Sequence, residues 1–404
     1  MLKEYQQPFK PSNSKRIFSR KKIRELWLNV HLTLAMTIGF ILVILGLTGS
    51  VNVFYFELEE LWLPKVRMVN DARPRPLNEI MQTVKAAYPQ RQKAWNLHFP
   101  AYNRDYLWVE YPKPEESFAK FFAPLEILVD PYTGKIVKEQ FWGQTLWSQI
   151  YDLHVDLLTD KINANVAEVT FKIVSFLGIF FLISALSGLY LWWPRWAKFK
   201  QAVTFKQNAS FQRFNFDLHK TTGFYSSIIL LILAFTGFAF GYGDYIKSLV
   251  GCFSSVKAEQ FKTPTMAKKS ELTGRYEPIS VEKAVAIADQ IFPNAQLLWL
   301  STPDSKEGVY VIEKRQPGEV NHRRPRSKVW IDQYSGKVLA VENPNQFTAG
   351  ETFLNLLRPL HSGEAFGFVG RILWCLVGFA PLVLYVTGIL RWLQKRRAAK
   401  FKKL

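Results

Sequence analysis

The chain has 404 residues, 48% of them apolar, and a formal charge of +19. A mean hydropathy near zero beside that apolar share means that the apolar residues are gathered into runs, as in a membrane protein with large soluble portions. The charge excludes rather than suggests a nucleic-acid binder. Lys15-Arg16 with Arg20-Lys21-Lys22-Arg24, the stretch 195–206, and Arg391 with Lys395-Arg396-Arg397, Lys400, Lys402 and Lys403 each abut a long apolar run, where cytoplasmic membrane flanks carry their basic residues.

In chain order, residues 1–27 are a basic cytoplasmic N-terminus. The mostly apolar run 28–56 is long enough for a bilayer core of about 30 Å and lacks a small-residue cleavage site, so it predicts an uncleaved first span. Residues 57–168 are numerous enough for a small soluble module. Within them, Leu77, Ile80, Val84 and Ala87 fall at helical spacing, and the segment from Leu128 through Gly134 to Val137 reads as strand, glycine turn, strand. A second span (169–193), a basic cytoplasmic loop (194–218) and a third span (219–243) follow.

Residues 244–362 repeat the module. Val281, Ala284, Ile287 and Ile291 give the helix, and the segment from Val329 through Gly336 to Leu339 gives the hairpin. A fourth span (363–393) and a basic tail (394–404) complete the chain. Basic flanks before the first span, between the second and third, and after the fourth put both termini in the cytoplasm. The predicted fold class is a polytopic α-helical membrane protein: a four-helix transmembrane bundle with two pseudo-duplicated extracytoplasmic α+β modules.

The repeat extends into the spans. His31 precedes Thr48-Gly49 by the same 17 residues that separate His219 from Thr236-Gly237. Ser187-Gly188 precedes Trp192 as Thr387-Gly388 precedes Trp392, and Leu153-His154 stands before the second span as Leu360-His361 stands before the fourth. Four histidines therefore occupy repeat-equivalent places at membrane depth, where an ionisable group marks a functional site by default. Imidazole is the commonest neutral metal ligand, and two from facing helices can take the axial positions of a haem iron. Chain direction pairs His31 with His219 near the cytoplasmic face and His154 with His361 near the outer face, one ligand from each half. That geometry predicts up to two haems, one per leaflet.

Other residues carry two readings each. The glycines 39, 46, 49, 223 and 237 serve either close helix packing or a flat macrocycle. Arg358 and Arg371 suit haem propionates or ordinary snorkelling to the interface. Arg323, Arg324 and Arg326, with Arg315 and Lys328, form an exterior basic patch that either receives an anionic chelate or is a solvated hairpin face. His98 and His322 read as surface residues. No GxSxG, HExxH, P-loop or dinucleotide fingerprint occurs, so electrons, if they flow, must come from a partner protein or a membrane quinol.

In this order, twice over, these residues resemble the PepSY-associated transmembrane proteins, which include ferric-siderophore reductases of the FoxB and PiuB type. The resemblance rests on the outward helices bearing His and Thr-Gly, Leu-His before the inward helices, the ending from Leu186 to Arg195 (Leu-Ser-Gly-Leu-Tyr-Leu-Trp-Trp-Pro-Arg), and the Asp-x-Tyr-Ser/Thr-Gly-Lys hairpins. It implies a bacterial inner-membrane haem b protein, with two haems on His31, His219, His154 and His361, that reduces periplasmic ferric siderophore and releases ferrous iron. One offset departs from the repeat: His154 lies 33 residues before Ser187, but His361 lies 26 before Thr387. The surplus of about two turns, or ~10 Å, lifts His154 above the membrane unless 159–165 breaks the helix. The alternatives are a non-catalytic PepSY-type binding or regulatory protein and a siderophore or haem transporter.

Overall fold

The computed structural model describes residues 19–63, 73–99, 106–117, 120, 122–256 and 277–401. Lys15, Arg16, Lys402 and Lys403, which entered the charge reading, lie outside them. Three helices are long and apolar enough to cross a membrane: Ala164–Trp192, Phe211–Gly241 and Glu364–Ala399. The pair Arg20–Thr37 and Gly39–Asn52, bent by 64°, makes a fourth span if taken as one. Small residues set the spacing between these helices. A Cβ on Gly178 would stand 2.5 Å from Ala234 O, and one on Gly241 would stand 2.5 Å from the Ser175 side chain, so the second and third spans touch backbone to backbone.

The helix carrying His154, Leu146–Val155, stops short of the second span. Leu157 and Leu158 both take left-handed φ values, 57° and 64°, and the helix restarts at Ala164, capped by Asn163 Oδ1 on Val166 N at 3.0 Å. The surplus residues are spent in this turn, and His154 comes level with Thr48. In the second half the same reversal uses Gly363 and Gly367, at φ values of 77° and 65° that suit glycine.

The expected module helices form over Leu77–Ala87 and Val281–Ile291. Both hairpins close on the same turn. Asp130 Oδ1 accepts from Tyr132 N and Thr133 N, and Asp332 Oδ1 accepts from Tyr334 N and Ser335 N.

The modules are not separate. Strands β1 (Asn96–His98), β2 (Leu107–Tyr111), β3 (Leu125–Val129) and β4 (Ile136–Phe141) of the first, and β5 (Gln296–Ser301), β6 (Val309–Arg315), β7 (Ser327–Asp332) and β8 (Val338–Glu342) of the second, make one antiparallel sheet in the order β4-β3-β2-β1-β5-β6-β7-β8. The join is β1 on β5, with Leu97 opposite Leu300 and His98 opposite Trp299. The two helices cap each other across the join: Glu282 Oε1 accepts from Asn78 N and Asn78 Oδ1 from Val281 N.

Alternation along the strands sends one set of side chains to a shared core and the other towards the spans. Leu97, Val109, Ile127, Leu300, Ile312 and Val329 pack under the two helices. Asn96, Glu110, Glu126 and Gln140 stand in a row across β1 to β4 on the opposite face. His98 and Trp299 share that face, which turns them towards the membrane part.

Candidate functional site

Each of the four histidines is held by a hydroxyl from its own half of the chain. His31 Nδ1 lies 3.1 Å from Ser187 Oγ and 3.0 Å from Ser184 O. His154 Nδ1 meets Thr48 Oγ1 at 3.0 Å, His219 Nδ1 meets Thr387 Oγ1 at 2.9 Å, and His361 Nδ1 meets Thr236 Oγ1 at 2.8 Å.

These hydroxyls have already committed their protons. Thr48 donates to Ile44 O, Thr236 to Ile232 O, Thr387 to Val383 O and Ser187 to Ser184 O, at 2.6–2.8 Å. A hydroxyl has one proton, so towards the ring it accepts, and Nδ1 must be the N–H. Nε2 is then the nitrogen with the free lone pair, the state a metal requires, fixed by the hydrogen bond on the other ring nitrogen.

The glycine after each hydroxyl completes the seat. A Cβ on Gly49 would lie 3.0 Å from His154 Cε1, on Gly188 3.1 Å from His31 Cε1, on Gly388 3.4 Å from His219 Cε1 and on Gly237 3.6 Å from His361 Cε1. The Thr/Ser-Gly pair is therefore one device: the hydroxyl orients the imidazole and the bare Cα gives its edge room. Thr48, Ser187, Thr236 and Thr387 served only as repeat markers in the sequence. The shared 17-residue offset from His31 and His219 was the signal for Thr48 and Thr236, and the shared offset to Trp192 and Trp392 was the signal for Ser187 and Thr387.

The pairs join the two halves. The rings of His154 and His361 lie with centroids 6.3 Å apart and planes at 61°, and His31 is within electrostatic reach of His219. Metal–imidazole bonds of about 2 Å on each side of one ion, plus the ring radii, give about the same 6 Å centroid spacing. His154 and His361 line a chamber of about 790 Å³ whose lower walls include Leu45, Gly46, Phe181, Leu233 and Gly237. An apolar slot with two opposed imidazoles fits a flat porphyrin.

The upper part of the chamber is polar, and sequence reasoning missed most of it. His98 is not a surface residue: β1 lies at the seam of the sheet and turns it inward, its ring against Trp299 and its Nε2 3.5 Å from Glu110 Oε2. Arg324 lies over the Trp299 ring at 3.5 Å. Arg324 and Arg358 both face the chamber, placed to meet acidic groups of a bound ligand.

Arg371, Arg323 and Arg326 are held in ion pairs. Arg371 is buried, pairs with Glu57 at 2.6 Å and donates to Val53 O at 2.7 Å. Arg323 pairs with Glu364 at 2.5 Å and donates to the same Val53 O at 3.0 Å. Both cap the end of the first span, where helix carbonyls lack partners. Arg326 pairs with Glu342 at 2.8 Å and Lys328 with Glu313 at 2.6 Å.

Opposite the arginines, Asp152, Asp156 and Asp160 line the chamber and are 8%, 3% and 5% exposed. Burial, with repulsion among them, pushes Asp152 up to about 7 and Asp156 up to about 6, while the Trp142 indole holding Asp152 Oδ1 at 2.8 Å pulls the other way.

The profile of the PepSY-associated TM region matches residues 28–395. The chain belongs to this family. The match takes in all four spans and both halves of the sheet of this PepSY-associated membrane protein. Among curated proteins, none matches it.

Proposed function

We propose that this PepSY-associated protein is a haem b electron carrier that reduces ferric siderophores outside the bacterial inner membrane and releases ferrous iron. One observation carries the reading: imidazoles from opposite halves, each held at Nδ1 by a threonine hydroxyl, come together with ring centroids 6.3 Å apart in an apolar slot. A protein that merely anchors a peptide-binding module has no use for four such seats. His154 and His361 would hold one haem and His31 and His219 the other. Arg324 and Arg358 are the propionate partners the reading favours; Arg371 is occupied by Glu57.

Haem supplies one-electron chemistry at a potential set by its axial ligands and surroundings. The chain's own part is to orient the four rings, to keep water from the slot, and to cover its outer end with the sheet face that carries His98, Glu110 and Trp299. The basic flanks favour termini in the cytoplasm and the sheet outside. Electrons then enter from a quinol or a reductase and pass to ferric iron one at a time.

An absorbance spectrum of the detergent-purified chain tests this. The expected result is a Soret band with reducible low-spin features, and a colourless preparation overturns the proposal. Dithionite-reduced protein, freed of excess reductant, should reoxidise on adding a ferric tris-hydroxamate while a ferrous-specific dye develops colour. Failure with hydroxamate and catecholate chelates alike would leave a haem protein with another acceptor.

A further inference from the structure

We propose that Asp152, Asp156 and Asp160 form a binding site for a hydrated divalent metal cation on the first-half wall of the chamber. All three are more than nine-tenths buried, and each keeps an oxygen (Asp152 Oδ2, Asp156 Oδ1 and Asp160 Oδ1) shut off from solvent with no hydrogen-bond partner. Buried carboxylates are ordinarily paired with a cation or bound to a metal. Their remaining contacts are the Trp142 indole on Asp152 and the backbone N–H groups of Leu158, Thr159 and Asp160 on Asp156. Lys120 acts on Asp152 through its field, but among the described residues no ion pair reaches any of the three.

The repeat supplies its own comparison. After His361 the corresponding turn also buries an acid, Glu364, at 2% exposure, but there Arg323 Nε stands 2.5 Å away and Arg371 adds its charge. The second half neutralises its acid from within the chain. The first half has more acids and, among the described residues, no such arginine. Its longer turn, with Leu157 and Leu158 left-handed, is the segment that brings Asp156 and Asp160 to the chamber beside Asp152.

Geometry selects the kind of cation. No three His, Cys, Asp or Glu side chains among the described residues converge tightly enough to enclose a bare ion. An ion bound here would meet one or two of the carboxylates and keep part of its water shell, as small hard divalent cations do. Carboxylate-only donors suit oxygen-seeking metals over soft ones. If the chain reduces ferric chelates, ferrous iron leaving the chelate is the natural occupant; that identity rests on the reductase reading, and the site does not.

Mn²⁺ serves as the probe, on the full-length purified chain. The paramagnetic signal of free Mn²⁺ should fall by one ion per chain on adding wild-type protein, and Mn²⁺ should raise Tm. In Asp156→Asn/Asp160→Asn, affinity should drop at least tenfold, while Tm without Mn²⁺ is unchanged or higher because buried charge has been removed. Asp160→Asn alone should give an intermediate loss, and Glu342→Gln, remote in β8, should bind as wild type does. No Mn²⁺ uptake by wild type, or equal uptake by the double variant, overturns the proposal. Uptake needs no haem, so a colourless protein that binds Mn²⁺ refutes the reductase alone, and a haem-bearing protein that binds none refutes the cation site alone.

Discussion

Thr48 and His154 lie 106 positions apart in sequence and 3.0 Å apart in space, with the threonine proton already given to Ile44 O. The same relation recurs between Thr236 and His361. A hydroxyl that can only accept forces the imidazole into one tautomer.

Replacing that hydroxyl frees the ring without removing the ligand. Thr48→Val should weaken haem retention at the His154–His361 site about 10- to 100-fold, the usual cost of losing a group that orients a ligand. Thr48→Ser should keep it. Haem content and the low-spin spectrum of the two variants report the difference; equal retention by Thr48→Val would show that the slot alone positions the ring.

The glycine seats are graded. An added methyl at Gly49 meets His154 Cε1 at 3.0 Å, whereas at Gly237 it meets His361 Cε1 at an ordinary 3.6 Å. Gly49→Ala should shift the low-spin signature of the outer pair, and Gly237→Ala should leave it close to wild type. The order of the two effects, read by electron paramagnetic resonance, is the check.

His31→Ala and His219→Ala should abolish the same haem and spare the other. Redox titration resolves the two centres, and loss of different haems in the two variants would break the pairing across the halves.

Arg371 ties the fourth span to the end of the first through Glu57 and Val53 O. Arg371→Met keeps the bulk but removes the nearer of two arginines from both Glu57 and Val53 O, leaving only Arg323 on each. Because Glu57 is partly exposed, the expected loss is roughly 1–3 kcal/mol of stability, seen as a lower Tm with the haem spectrum retained.

Glu342 gives a pH signature. Burial pushes it up to about 7, against the pull of Arg326 and Lys328. A carboxyl raised above its unfolded value of about 4.3 contributes stability fully below that value and loses it as pH rises through 7. Glu342→Gln should therefore be more stable than wild type at pH 8, by roughly 1–3 kcal/mol, with the gap closing towards pH 4. Thermal melts across that range test it, and a constant gap would place the cause elsewhere.

The spans, the module helices and the hairpins were legible because each is written in local periodicity and turn chemistry. The histidines were legible because the repeat marked them, and the break before the second span followed from an arithmetic mismatch with the fourth. The bend at Ile38, by contrast, has no proline to announce it. The engagement of Arg323 and Arg371 was hidden because a carbonyl at a helix end and glutamates 41 and 314 positions away leave no trace in spacing. The inward aim of His98 was hidden for a related reason: it depends on β1 pairing with β5, and strand partners distant in sequence are not encoded locally.

That seam has a mechanical consequence. Asn96, Leu97 and His98 are zipped to Ser301, Leu300 and Trp299, and the ladder is extended by Phe99 N to Leu298 O and Thr302 N to Trp95 O. Transporters built from repeats expose their cargo to alternate sides by rocking one half against the other. Here such a stroke would have to part β1 from β5 in the middle of an eight-stranded sheet, so the seam resists any motion that separates the two halves of the sheet.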